Sequence, residues 1–190
     1  MEAVGAIADH LYSIDQVVAA DIVVVSVDLL LRGGEHSVLK PELVYDNSEG
    51  GVAVVLDRAK TGADQGIVAL HPKTKAILRK WKLASAGCAK LFPISKENYA
   101  RALDNATTHL GIKRITPHVF RHTGASYLAA PQPVGKGMPE ADLALRGRWL
   151  AVKSVQRYYK PAELVKAQAF DSVEVKERGA AFWVNKQLVF

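Results

Sequence analysis

Residues 116–130 read TPHVFRHTGASYLAA, and residues 145–161 read LRGRWLAVKSVQRYYKP. In the first stretch Thr116 followed by Pro117 marks a helix start, because a proline in the first turn has no N–H that the helix would need. Phe120, Ala125, Tyr127 and Leu128 then supply an apolar stripe for burial. His118 and Arg121 fall three residues apart, so they share one face of that helix. In the second stretch a Gly-Arg-Trp is followed by a pair of tyrosines. A guanidinium offers paired donors to a phosphate, and a phenol hydroxyl is a nucleophile. Together the two stretches read as a phosphate site with a nucleophile at its far end.

Charge is concentrated in the same region. Of a net +6 for 190 residues, the segment from Gly111 to Lys160 holds nine basic residues against Glu140 and Asp142, so the rest of the chain is close to neutral. A local basic surplus of this kind is what a nucleic-acid-binding face requires. The expected contacts are Lys113, Arg114, Arg146, Arg148, Lys153 and Arg157. Hydrophobic residues make up 49% of the chain, enough for the core of one domain. The most apolar run, VVAADIVVVSVDLLL, is broken by Asp21, Ser26 and Asp28, so no membrane span is expected. Cys88 is the one cysteine, which excludes an intrachain disulfide and points to a soluble, intracellular protein.

The order of the motifs adds more than any one of them. The chain resembles the tyrosine recombinase (phage integrase) family, whose catalytic domains carry His-x-x-Arg-His-Thr, then Gly-His or Gly-Trp, then a tyrosine nine residues on. His118, Arg121, His122 and Thr123 match the first element, Gly147 and Trp149 the second, and Tyr158 the third. Upstream, LLLRGGE supplies Arg32 as the family's first arginine with Glu35 as its supporting acid, and AKTG supplies Lys60 as the β-strand lysine. The resemblance covers residues 14–161. It implies a mixed α+β fold, mainly α-helical with a small antiparallel three-stranded sheet, and a catalytic domain over residues 1–161 followed by a C-terminal helix and tail over 162–190. Full-length members also carry an N-terminal core-binding domain, which the dozen residues before Ile14 have no room for.

The activity implied is DNA strand cleavage and rejoining through a 3′-phosphotyrosyl link, as in site-specific recombination and DNA integration, with double-stranded DNA as partner and no metal or other cofactor. Tyr158 is the implied nucleophile. Arg32 and Arg121 hold the non-bridging oxygens, His118 assists proton transfer, Lys60 protonates the leaving 5′ oxygen, and Trp149 donates its indole N–H in place of the commoner histidine. Two alternatives remain: a type IB topoisomerase-like relaxer, which reseals the same strand, and a non-catalytic DNA-binding remnant of a recombinase. In the family the segment past the tyrosine often packs on a neighbouring protomer, so a homo-oligomer on DNA through the tail is a further expectation. Packing of that segment on its own domain is the simpler reading.

The remaining chain divides by pattern. Residues 14–32 are valine-rich, yet Asp21, Asp28 and Arg32 recur at helical spacing, so a helix with a polar face is expected, ended by Gly33 and Gly34. HSVLKPELVYD reads as a short helix and turn. GGVAVVLDRAK and IVALH read as strands around the turn at Gly62 to Gly66. PKTKAILRKWK and KENYARALDNATTHL read as amphipathic helices, and PQPVGKGMP as a loop before a helix that opens at Glu140. Ser37-Val-Leu-Lys40 and Lys60-Thr61-Gly62 imitate a penicillin-binding pair, but some twenty residues between them cannot hold the helical subdomain that such enzymes place there.

Overall fold

A computed structural model of the chain describes residues 1–47, 49–57, 65–131, 135–159 and 171–185. Two helices open it, α1 (Glu2–Ser13) and α2 (Val17–Asp28). Two 3-10 turns, Glu35–Ser37 and Pro41–Leu43, lead into strands β1 (Val44–Asp46), β2 (Val52–Leu56) and β3 (Gln65–Val68). Helices α3 (Pro72–Ala84), α4 (Lys96–His109), α5 (Pro117–Ala129) and α6 (Glu140–Gly147) follow. Then come 3-10 turns at Val152–Ser154 and Gln156–Tyr159, and α7 (Val173–Asn185). The fold is mainly helical with one antiparallel sheet in the order β1-β2-β3. Among the described residues no helix is long and apolar enough to cross a membrane.

Helix α2 is buried over its whole length from Ala19 to Asp28 and is flanked by α1, α3, α4 and α5. A valine in a helix costs about a few tenths of a kcal/mol relative to alanine, and α2 carries six of them. Burial on every side outweighs that preference, since each buried valine is worth about 1.5 kcal/mol or more. The helix stops at Asp28, short of the expected Arg32, because Leu30 turns into the left-handed region with φ 49°. Asp21 and Asp28 do not form a solvated polar face. Asp21 accepts hydrogen bonds from Tyr12 Oη, from Lys80 Nζ at 2.7 Å and from Trp81 Nε1 at 2.8 Å. Asp28 accepts from the backbone N–H of His71 at 3.0 Å and from Arg146 at 2.7 Å. Partners distant in sequence draw both carboxylates inward.

The hairpin joins β2 to β3 with Ala53 opposite Val68 and Leu56 opposite Gln65. Its turn, and Lys60 with it, lies outside the described residues. The third strand comes from Val44–Asp46, where a helix and turn were expected, and pairs Val44 with Val54. Helix α1, where no element was expected, buries Val4, Ile7 and Leu11. It packs on α7 so closely that a Cβ on Gly179 would stand 1.8 Å from the Glu2 carbonyl oxygen. Phe182 and Trp183 of α7 therefore sit in the same core as α1 and α2, within this one chain. The AELVKAQAF segment and residues 186–190 lie outside the described residues.

A second, smaller cluster lies beside the first. Leu30, Ala125, Leu128, Ala129, Leu143, Ala144, Val155 and Tyr158 form it, with Met138, Trp149 and Tyr159 packed against it. It ties α5 and α6 to the turn at Gln156–Tyr159, while Tyr127, expected in the stripe, is half-buried. Helix α5 approaches α2 so closely that a Cβ on Gly124 would lie 2.2 Å from the Val27 carbonyl oxygen. That crossing sets Arg121, one turn before Gly124, against the end of α2.

Candidate active site

Four segments meet there. Arg32 follows α2, Arg121 lies on α5, Arg148 and Trp149 follow α6, and Tyr158 lies on the last 3-10 turn. Arg121 is 2% exposed and donates to the Leu30 and Gly147 carbonyl oxygens. Arg148 donates to the same Leu30 oxygen at 2.9 Å and to Glu35 Oε1 at 2.9 Å. Arg32 reaches Glu35 Oε1 at 3.3 Å and the Arg148 carbonyl at 3.1 Å, and its own N–H donates to Glu35 Oε2 at 2.7 Å. Arg32 and Arg148 both pair with the Glu35 carboxylate while Arg121 beside them binds only backbone oxygens, so three guanidiniums stand against one carboxylate, a local surplus of two positive charges.

Holding that surplus is costly. Burial first, then the neighbouring Arg148 and Arg32, press the Arg121 guanidinium down to about 10, against a partial offset from Glu35. Burial also lowers Arg148. Leu30 and Arg148 take positive φ values of 49° and 58°, which non-glycine residues adopt at a cost of about 1–2 kcal/mol each. Nε of Arg148 has no hydrogen-bond partner among the described residues. An anion placed here would relieve the charge repulsion.

The Arg121 guanidinium lies over the Trp149 ring. The ring centroid is 4.1 Å from Arg121 Cζ, and a Cβ on Gly147 would come within 1.7 Å of the ring, so glycine is the residue that lets the indole seat. The other face of the arrangement meets Tyr158, with ring centroids 5.4 Å apart. Tyr158 is 5% exposed, and its hydroxyl stands 2.7 Å from His122 Nδ1. Burial raises its phenol above the ordinary value, and Arg157 and Arg121 oppose that rise. The neighbouring Tyr159 points elsewhere and donates its hydroxyl to the Met138 carbonyl at 2.5 Å.

His118, expected beside the nucleophile, is one ring further back. It is exposed and meets His122 edge-on at 4.4 Å. Sequence reasoning gave His122 no role, although it belongs to the same His-x-x-Arg-His-Thr. The signal that could have found it is helical spacing: His122 falls four residues after His118 and so shares its face.

The basic residues expected on a DNA-contacting face divide into two groups. Lys113, Arg114, Lys153 and Arg157 are exposed, with Arg114 paired to Asp104 at 2.8 Å. Arg146 and Arg148 are not on that face. The carboxylates of Asp28 and Glu35 draw them in, leaving their side chains 10% and 5% exposed. Among the described residues no group of three or more His, Cys, Asp or Glu side chains could hold a metal ion. A groove of about 500 Å³ between the start of α2 and α4, lined by Gln16, Asn98 and Arg101, includes none of the site residues. Comparison with protein-family models and with curated proteins matches none of them.

Proposed function

We propose that this protein breaks and rejoins DNA strands as the catalytic domain of a tyrosine recombinase does, through a 3′-phosphotyrosyl intermediate. The observation that carries the reading is the convergence of Arg32, Arg121, Trp149 and Tyr158, drawn from segments up to 126 residues apart, on one cationic pocket. A scissile phosphate binds among the guanidiniums, which donate to its non-bridging oxygens and stabilise the additional charge of the pentavalent state. Tyr158 attacks phosphorus and stores the bond energy as an ester, and the 5′ hydroxyl released can later attack that ester in return. Glu35 holds Arg32 and Arg148 in place. Lys60, which falls between β2 and β3 in sequence, is the proposed donor to the leaving oxygen. The exposed Lys113, Arg114, Lys153 and Arg157 flank the pocket in sequence and supply contacts to the DNA backbone.

Incubation with a nicked suicide duplex, in which the released 5′ fragment diffuses away, tests the reading. A protein–DNA band that survives denaturation supports it, and none with any duplex offered overturns it. Binding through about four exposed cations should lose affinity with a log–log salt slope of roughly −3 to −4. A slope near zero contradicts a phosphate-led contact.

A further inference from the structure

The phenol oxygen of Tyr158 stands 2.7 Å from Nδ1 of His122 on α5 and also takes a hydrogen bond from the adjacent Arg157, which can only donate and so leaves His122 as the acceptor. The two rings lie 5.5 Å apart at a tilt of 44°, and His118 backs His122 edge-on at 89°. We infer that His122 is the proton acceptor for Tyr158, and so a catalytic residue of the proposed cleavage, with His118 standing behind it. The inference rests on the strand-cleavage reading for its chemistry, though not for its geometry.

The step balances as follows. The O–H bond of Tyr158 breaks and its proton passes to His122 Nδ1, which becomes an imidazolium. The electron pair left on the phenol oxygen forms the bond to phosphorus. The bond from phosphorus to the 5′ oxygen breaks, and that oxygen departs with its pair and takes a proton from Lys60 or from water. Rejoining reverses each transfer, and the imidazolium returns its proton to the departing phenolate.

The environment favours a neutral acceptor before DNA arrives. His122 faces His118 and Arg121 from α5, and Arg157 and Tyr158 from the last 3-10 turn. Burial first, then His118 and the two arginines, hold its imidazole down to about 4. At neutral pH the ring is therefore uncharged, and with its proton on Nε2 the Nδ1 lone pair is open to the phenol. Burial keeps the proton on Tyr158. A phosphate seated among Arg32, Arg121 and Arg148 offsets part of the positive field that depresses His122, so its basicity rises when substrate is in place.

Two measurements test this, one without catalysis. Nitrogen-15 NMR of the DNA-free protein at pH 7 should find His122 neutral, protonated on Nε2, with Nδ1 shifted as a hydrogen-bond acceptor that Tyr158→Phe releases. An Nδ1-protonated or charged His122 overturns the inference whether or not the protein cleaves DNA. On the nicked duplex, His122→Asn keeps an acceptor oxygen near the Nδ1 position but cannot carry a proton. It should fold, bind DNA as the parent does, and form adduct about 10²-fold more slowly, with a rate that climbs with pH as hydroxide takes the proton. Adduct formation at the parent rate in His122→Asn, with the loss falling on His118→Asn instead, assigns the acceptor to His118 and overturns the inference while the cleavage reading stands. No adduct from the parent, with the NMR result as expected, sinks the cleavage reading and leaves the histidine–phenol pair without a reaction to serve, which overturns its catalytic role.

Discussion

Helix α2 and the pocket at its end are neighbours that treat buried charge in opposite ways. Asp21 is 2% exposed and receives three donors, from Tyr12, Lys80 and Trp81. Asp28 is likewise matched by Arg146 and by backbone N–H groups. In the pocket three guanidiniums have one carboxylate between them, and two residues carry unfavourable backbone angles. A matched buried ion holds elements together. A surplus of one sign is a cost that only a ligand of the other sign removes. The difference separates what this chain uses to fold from what it offers to a substrate.

The comparison breaks most sharply at Tyr158. Tyr158→Phe removes one oxygen, so adduct on the nicked duplex should fall to nothing detectable. Loss of its hydrogen bond to His122 should cost only about 1 kcal/mol in stability, read by thermal unfolding. If adduct persists, and disappears in Tyr159→Phe, the nucleophile is the neighbouring residue.

Asp21→Ala is the counterpart in α2. It removes the acceptor shared by the Lys80 ammonium, the Trp81 indole N–H and the Tyr12 hydroxyl, so unfolding in urea should show a loss of about 3 kcal/mol. Adduct yield should follow the folded fraction and no more. A loss of activity at full folding would mean that α2 and the pocket are not separable.

Arg121→Lys should affect the pocket without unfolding it. An ammonium keeps the charge but cannot donate to the Leu30 and Gly147 oxygens and to a phosphate at once. Adduct should form about 10²–10³-fold more slowly, with DNA affinity nearly intact. Parent-like rates would show that charge alone suffices and that the paired geometry is incidental.

These contrasts explain what could be read from the sequence. The starts of α3 and α5 were legible because Pro72 and Pro117 fix them locally, and Ser95 likewise caps α4 by accepting from the Asn98 N–H. That α2 is a helix was legible from the spacing of its aspartates. Their inward orientation was not, because it depends on Tyr12, Trp81 and Arg146, nine to 118 residues away. Strand β1 spans three residues, too few to show alternation. Helix α1, where no element was expected, was legible in the spacing of Val4, Ile7 and Leu11. The sequence order of Arg32, Arg121, Trp149 and Tyr158 anticipated that they come together, whereas the inward turn of Arg146 and Arg148 and the contact of His122 with Tyr158 exist only once α2, α5 and α6 have packed.

The finest test uses two histidines, one packed on the main core and one in the pocket. His36 is 3% exposed in the main core against Tyr99, and burial, with Lys96 and Lys90, holds it down to about 4. His122 in the pocket is also held down to about 4, by burial and by its cationic neighbours. Both are neutral when folded at pH 7, while the unfolded chain takes up a proton at each as pH falls below about 6.5. The folded state binds fewer protons in that window, so stability is fully present above pH 6.5 and declines as pH falls toward 4. Added DNA should separate the two. Negative charge among the arginines offsets the field at His122 and should raise its NMR titration midpoint, by up to about one unit at low ionic strength, with the shift shrinking as salt is added. His36 lies in the main core with no part in the arginine cluster, so its midpoint should stay where it was. Equal shifts at both would mean a general effect of binding on the fold, and no shift at His122 would place the bound phosphate away from the arginine pocket.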